Sequence, residues 1–314
     1  MRKLNKMKQY IHKLVLVLVM LIMCNLSGLG QISTLEKLKQ LGHTTLYGTA
    51  DNTKTCASTE MAQKLDSILQ SPNAKLFPFD SLVSLSTLQS SDKNLMILTW
   101  NIPLNAGTFK YDGFVAVEIN KTRRVYRLHD TSDSLQNPDK QILSAQNWYG
   151  ALYYKLIETG KKGQRTYTLL GWDGNNRLFK RKIIEVLEFN QQGMPVFGKS
   201  IFGQRDKKRV FFEYAPDAAF KLRYEKQGYK VKRWYKSTFS IIKKEMIVFD
   251  RLEPLRPGLG LLPQFLVPTG NIIDAYLFKN GRWNLIKDID ARNPSEPNPD
   301  QPIKQPTFNL VPKH

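Results

Sequence analysis

From Leu95 onward the chain is a succession of short β-type runs, several of them joined by loops of only two to six residues. The runs are LMILTWNI (95–102), TFKYDGFVAVEI (108–119), RRVYRLHD (123–130), ALYYKLIE (151–158), RTYTLLGW (165–172), RVFFEYA (209–215), FKLRYEK (220–226), YKVKRWYK (229–236), MIVFD (246–250), IIDAYLFK (272–279) and RWNLIKDID (282–290). Parallel neighbours need a crossover of a dozen or more residues, so loops this short force antiparallel pairing. Asn280-Gly281 is the strongest hairpin signal, because both residues tolerate positive φ. The segment NNRLFKRKIIEVLEF (175–189) reads equally as a strand or a short helix. No repeat of fixed period marks a solenoid, and the uneven spacing does not support a propeller.

The expected fold class is therefore mainly β (α+β): an antiparallel β-sheet domain with N-terminal helices and a disordered, Pro-rich C-terminal tail. Residues 31–90 form the helical region. Ser33-Thr-Leu-Glu36 is a capping box ahead of Leu38 and Leu41, with Gly42 as the stop. A second helix is expected over Ser58–Gln70, with Met61, Leu65, Ile68 and Leu69 on one face and Pro72 closing it. Residues 91–292 carry the β-domain. In the tail, 293–314, six prolines between Pro294 and Pro312 prevent both helix and sheet.

The first thirty residues have the three parts of a secretory signal. Arg2, Lys3, Lys6, Lys8 and Lys13 form a leader without acids, and Leu14–Cys24 is an apolar run of eleven residues. Gly28-Leu29-Gly30 then supplies small residues for cleavage before Gln31. A membrane span needs roughly 20 apolar residues, and Asn25 ends this run too early. Met23 is too large for a lipobox ahead of Cys24. The mature chain is expected to be exported, to the periplasm, the outer-membrane surface or the medium, without a transmembrane anchor.

The chemistry open to residues 31–314 is narrow. Their histidines are His43, His129 and His314, and their one cysteine, Cys56, is expected as a small buried residue. A histidine-rich or cysteine-based zinc site cannot be built from that set, and neither H-E-x-x-H nor G-x-S-x-G occurs. No metal, cofactor or catalytic residue is assigned. Gly193-Met-Pro-Val-Phe-Gly-Lys-Ser200 fits the P-loop pattern letter for letter, and Met246-Ile-Val-Phe-Asp250 mimics a magnesium-holding strand end. A working P-loop opens into a helix and lines phosphates with backbone N–H groups. Here Pro195 removes one such donor, and Gly203 with the charge cluster after Ser200 makes a poor helix start. Nucleotide hydrolysis and specific nucleotide binding are therefore rejected. Trp172-Asp-Gly-Asn-Asn176 fails the calcium-loop pattern and reads as a turn.

The whole chain has 47 Lys and Arg against 27 Asp and Glu, a formal net charge of +20. The densest basic stretch, YEKQGYKVKRWYKSTFSIIKKE (224–245), interleaves cations with rings. Candidate binding residues are Lys226, Tyr229, Lys230, Lys232, Arg233, Trp234 and Lys236. Rings and cations together can stack on bases or sugars while pairing with phosphate or carboxylate. A hairpin whose lysines merely protect an edge would look the same. The favoured reading is a non-catalytic envelope or secreted protein that binds an anionic polymer or an envelope partner. The alternative is an extracytoplasmic hydrolase with paired carboxylates, for which Asp288 and Asp290, two apart on an expected strand, are the candidates.

NWYGALYYKLIE, YTLLGWDGNNRLFKRKIIEVLEF, GMPVFG, MIVFDRLEP and DAYLFKNGRWNLIKDID, in that order, resemble a group of uncharacterised exported β-rich proteins of Bacteroidota. The likeness spans roughly residues 95–292. It implies export and a structural role for GMPVFG; it implies no activity, so no catalytic residue is carried over.

Overall fold

The computed structural model of the protein describes residues 33–160, 165–203, 206–232 and 239–289. The expected signal, residues 1–30, and the Pro-rich tail lie outside them. Two helices come first: α1 over 33–47 and α2, Asp51–Gln70. Three antiparallel sheets follow. The first runs in the order β1 (Ser86–Gln89), β2 (Leu95–Pro103), β3 (Phe109–Ile119), β4 (Thr122–His129).

The second sheet has the order β5 (Leu143–Ser144), β9 (Pro195–Phe197), β8 (Lys180–Phe189), β7 (Thr166–Asp173), β6 (Leu152–Thr159). The short strand β10 (Val210–Tyr214) pairs with the first half of β8. The third sheet is a meander of β11 (Leu222–Lys232), β12 (Phe239–Pro254), β13 (Leu266–Lys279) and β14 (Arg282–Ile286). The fold is thus mainly β and antiparallel, with its helices at the N-terminal end, as the loop lengths require.

The layers stack as helices, first sheet, second sheet, third sheet, and strand alternation explains the order. On β2, Met96, Leu98 and Trp100 face the helices, packing with Met61, Leu65 and Leu69 of α2. Leu95 and Ile97 face the other way, onto Leu169, Ile183 and Leu187 of the second sheet. On β8 the alternate residues Ile184 and Val186 pack instead on Leu222, Ile247 and Phe249 of the third sheet. Each such fully buried side chain contributes about 1.5–3 kcal/mol. Polar pins cross the same interfaces. The Trp100 indole donates to Ser58 Oγ at 2.8 Å, Tyr153 N to Thr99 Oγ1 at 3.1 Å, and the Trp283 indole to Thr168 Oγ1 at 3.0 Å.

Several expected boundaries are corrected. α1 runs through Gly42 and stops before Gly48. Gly42 marks a close approach: a Cβ there would lie 1.8 Å from Ser84 Oγ. α2 begins at Asp51, well before Ser58, its first turn tied down by Asn105 N donating to Asp51 Oδ1 at 2.8 Å. Cys56 is exposed rather than buried, because α2 turns Ala57, Ser58 and Met61 inward. Residues 180–189 are a strand. The runs at 220–226 and 229–236 are not two strands: β11 continues through Gln227 and Gly228, paired with Lys244 and Lys243. β1, inside the expected helical region, belongs to the first sheet.

Candidate functional site

The basic hairpin is β11 with β12. Their pairing runs from Leu222↔Phe249 to Lys232↔Phe239, whereas β13 joins β12 only from Ile247 onward. The segment beyond that point, 226–232 with 239–245, is a two-stranded ribbon. Its register sorts the candidate residues by face. Lys226 pairs with Glu245, Gly228 with Lys243 and Lys230 with Ile241, so Lys226, Lys230 and Lys243 share one face. All three are exposed, and none of their side chains makes a hydrogen bond or ion pair among the described residues. Glu245 offsets part of the charge beside Lys226.

That face continues into the side of the third sheet turned toward the second. There Lys155 of β6 stands over the Tyr224 ring, 6.0 Å from its centroid. Tyr224 is therefore the ring that belongs to the lysine face. Tyr229 points the other way, packed on the cluster of Met246, Val248, Ala275 and Ile289, and Lys244 lies on its side. Lys232 ends β11 opposite Phe239. Arg233, Trp234 and Lys236 lie outside the described residues.

The other expected constellations resolve into structure. Pro195–Phe197 of GMPVFGKS is β9, between β5 and β8, approached through Gly193 at φ 77°. No helix follows among the described residues. Lys199 bonds Glu188, and Lys199 N donates to Lys208 O. Asp250 accepts Lys221 N at 2.7 Å. Asp288 is not on a strand: β14 ends at Ile286, and Asp288, at φ 53°, donates its N–H to Asp274 Oδ1. The face-sharing argument for Asp288 and Asp290 therefore fails, and Asp290 lies outside the described residues.

Asp173 of the WDGNN turn is buried in a closed network. It accepts from the Tyr149 hydroxyl at 2.7 Å, the Tyr111 hydroxyl at 3.1 Å and Asn175 N at 2.7 Å. Burial pushes its pKa up against those donors. Arg181 joins the network through Tyr149 and binds Glu213 at 2.8 Å. With its hydrogen bonds made internally, the group reads as a structural lock between β3, β7 and β8.

No family model, no curated protein and no solved structure matches this chain. No helix among the described residues is long and apolar enough to cross a membrane.

One site was missed in the sequence. A cleft of about 480 Å³ opens between the 79–88 segment, the starts of β6 and β8, and the 218–220 loop. Its walls are largely apolar, yet Lys180 and Lys182 of β8 reach into it. Lys180 donates to Pro216 O at 2.6 Å. The Lys182 ammonium has neither a hydrogen bond nor a carboxylate within ion-pair range among the described residues. It stands over the Tyr154 and Phe220 rings, at 5.7 and 5.9 Å from their centroids. Burial lowers its pKa to about 8, with Asp250 raising it and Arg223 lowering it further. Burial likewise pushes Tyr214, another wall residue, up to about 12. The signal was in the strand period: Lys180 and Lys182 occupy the inward series completed by Ile184 and Val186.

Proposed function

We propose that this is an exported, non-catalytic envelope or secreted protein that binds an anionic polymer through the lysine face of the β11–β12 ribbon. One observation carries the reading: Lys226, Lys230 and Lys243 line one face of a ribbon that extends past its sheet, with no internal partner. Three of the ribbon's exposed lysines share that face, with Lys244 on the other, and Lys155 with Tyr224 extends the patch onto the body of the domain. Export is supported by the leader, apolar run and Gly28-Leu29-Gly30 site, and by the resemblance to exported proteins of Bacteroidota. An extracellular setting suits such a patch, where envelope polysaccharide and released nucleic acid are the abundant polyanions.

Two experiments test it. N-terminal sequencing of the protein recovered from the envelope or medium is expected to begin near Gln31; recovery with Met1 intact contradicts export. The purified protein is expected to be retained on heparin resin and released by moderate salt, because phosphate- and sulfate-type contacts act through counterion release. Elution in the void volume at low salt contradicts polymer binding.

A further inference from the structure

We propose that the cleft at Lys182 is a binding site for a small fatty-acid-like carboxylate, whose head pairs with the Lys182 ammonium and whose apolar body lies along the cleft walls. This proposal is independent of the ribbon. The volume, about 480 Å³, falls within the roughly 300–1,000 Å³ usual for small-ligand pockets. The body of the ligand would lie against Phe79, Leu85, Leu88 and Leu152, with Tyr154 and Phe220 nearest the head.

Charge complementarity fixes the head group. An ammonium taken into an apolar pocket without an acceptor is unfavourable, and folded proteins pair such groups. Lys180 is already capped by Pro216 O, and the Tyr154 hydroxyl donates to Leu222 O at 2.9 Å. Asp80 lines the cleft but makes no ion pair with Lys182. Of the two ammoniums in the cleft, Lys180 is held at Pro216 O, and Lys182, between two rings, is the one without an acceptor. One ammonium suits one carboxylate. A phosphate or sulfate dianion is best matched by a guanidinium fork, and no arginine is among the lining residues. With a pKa of about 8 the amine is mostly protonated at pH 7, so it meets a carboxylate as a cation.

The test uses decanoate, decanol and decyltrimethylammonium in titration calorimetry at pH 7 with the intact protein. Decanoate is expected to bind one to one and at least about tenfold tighter than either of the other two, the strength of one charge-assisted contact. Lys182→Met, which keeps the apolar stem, is expected to lose about tenfold for decanoate and to leave decanol within about twofold. Ala219→Trp, at an exposed wall position, is expected to obstruct all three. Decanoate binding no tighter than decanol, unchanged decanoate binding in Lys182→Met or in a folded Ala219→Trp, or no decanoate binding at all would each overturn the proposal.

Discussion

Arg209 Nε lies 2.9 Å from Glu185 Oε2, and the two side chains are 0% and 1% exposed. The guanidinium also donates to the carbonyls of Pro138, Gln141 and Phe197. It thereby fastens the 138–141 loop and β9 to the centre of β8. Gly198 makes room for it: at φ 102°, a Cβ there would lie 2.9 Å from Gln141 O and 3.1 Å from Arg209 Nη2. Part of GMPVFG is accounted for by this clamp.

Removing one member of a buried pair strands the other, at a cost of about 3–5 kcal/mol. Arg209→Met is therefore expected to lower the free energy of urea unfolding by that amount, with Glu185, already pushed up by burial, taking a proton. A loss under about 1 kcal/mol would mean that the pair is not holding the loop.

Gly42→Ala sets two effects against each other. Helix propensity favours alanine by about 1 kcal/mol. The new Cβ would collide with Ser84, whose Oγ and Cβ lie 1.8 and 2.5 Å from the site. Overpacking of that kind costs about 1–3 kcal/mol, so the single variant is expected to be destabilised. Gly42→Ala with Ser84→Gly is expected to regain most of the loss. Thermal melts of the two variants decide it; a stabilised single variant contradicts the close approach.

Lys182 also makes a prediction about pH. Its folded pKa is about 8 against an ordinary 10.5. Below about 8 both folded and unfolded chains hold the proton, and the fold bears the whole penalty of the desolvated charge. Between about 8 and 10.5 the unfolded chain binds more protons, so this group's contribution to stability rises with pH. The surrounding groups are Lys180 on β8, Arg223 on β11, Asp250 on β12, Tyr154, Tyr214 and Asp80. Lys182→Met is expected to be more stable than wild type at pH 7 by about 0.5–2 kcal/mol, with the gap narrowing by pH 9.5. Urea unfolding at the two pH values measures it. A variant less stable than wild type at both would show the ammonium to be satisfied in the fold.

The turns were the most legible part of the sequence. Asn280-Gly281 adopts positive φ and closes the expected hairpin, and Asn120 and Lys121, in the short gap between the runs 108–119 and 123–130, do the same. What escaped was set by distant contacts. Gly42 looked like a helix stop because its encounter with Ser84 is a tertiary fact. β12 begins at Phe239, not Met246, and the exposed lysine face of the ribbon leaves no clean apolar alternation to read. Asp288 fell off its strand because it takes φ 53° and its N–H goes to the Asp274 carboxylate instead of a ladder carbonyl. At the candidate site, the lysines were legible as a group but their facing was not. Reading β11 as two strands hid the register that separates Tyr229 from Lys226 and Lys230. Lys182 was hidden differently, since a lysine at an inward position looks like any strand-end lysine until the cleft around it is known.

The ribbon reading is tested most directly by the salt dependence of polyanion binding. Affinity for a fluorescent DNA duplex, a polyanion of defined charge, is measured by anisotropy across salt concentrations, for wild type and for Lys226→Gln/Lys230→Gln/Lys243→Gln. Each lost phosphate contact flattens the slope of log K against log salt by about 0.9. The triple variant is expected to show a slope shallower by about 2–3, with unchanged thermal stability, because exposed unpaired charges contribute little to folding. Identical slopes and affinities for the two proteins at every salt concentration would contradict it.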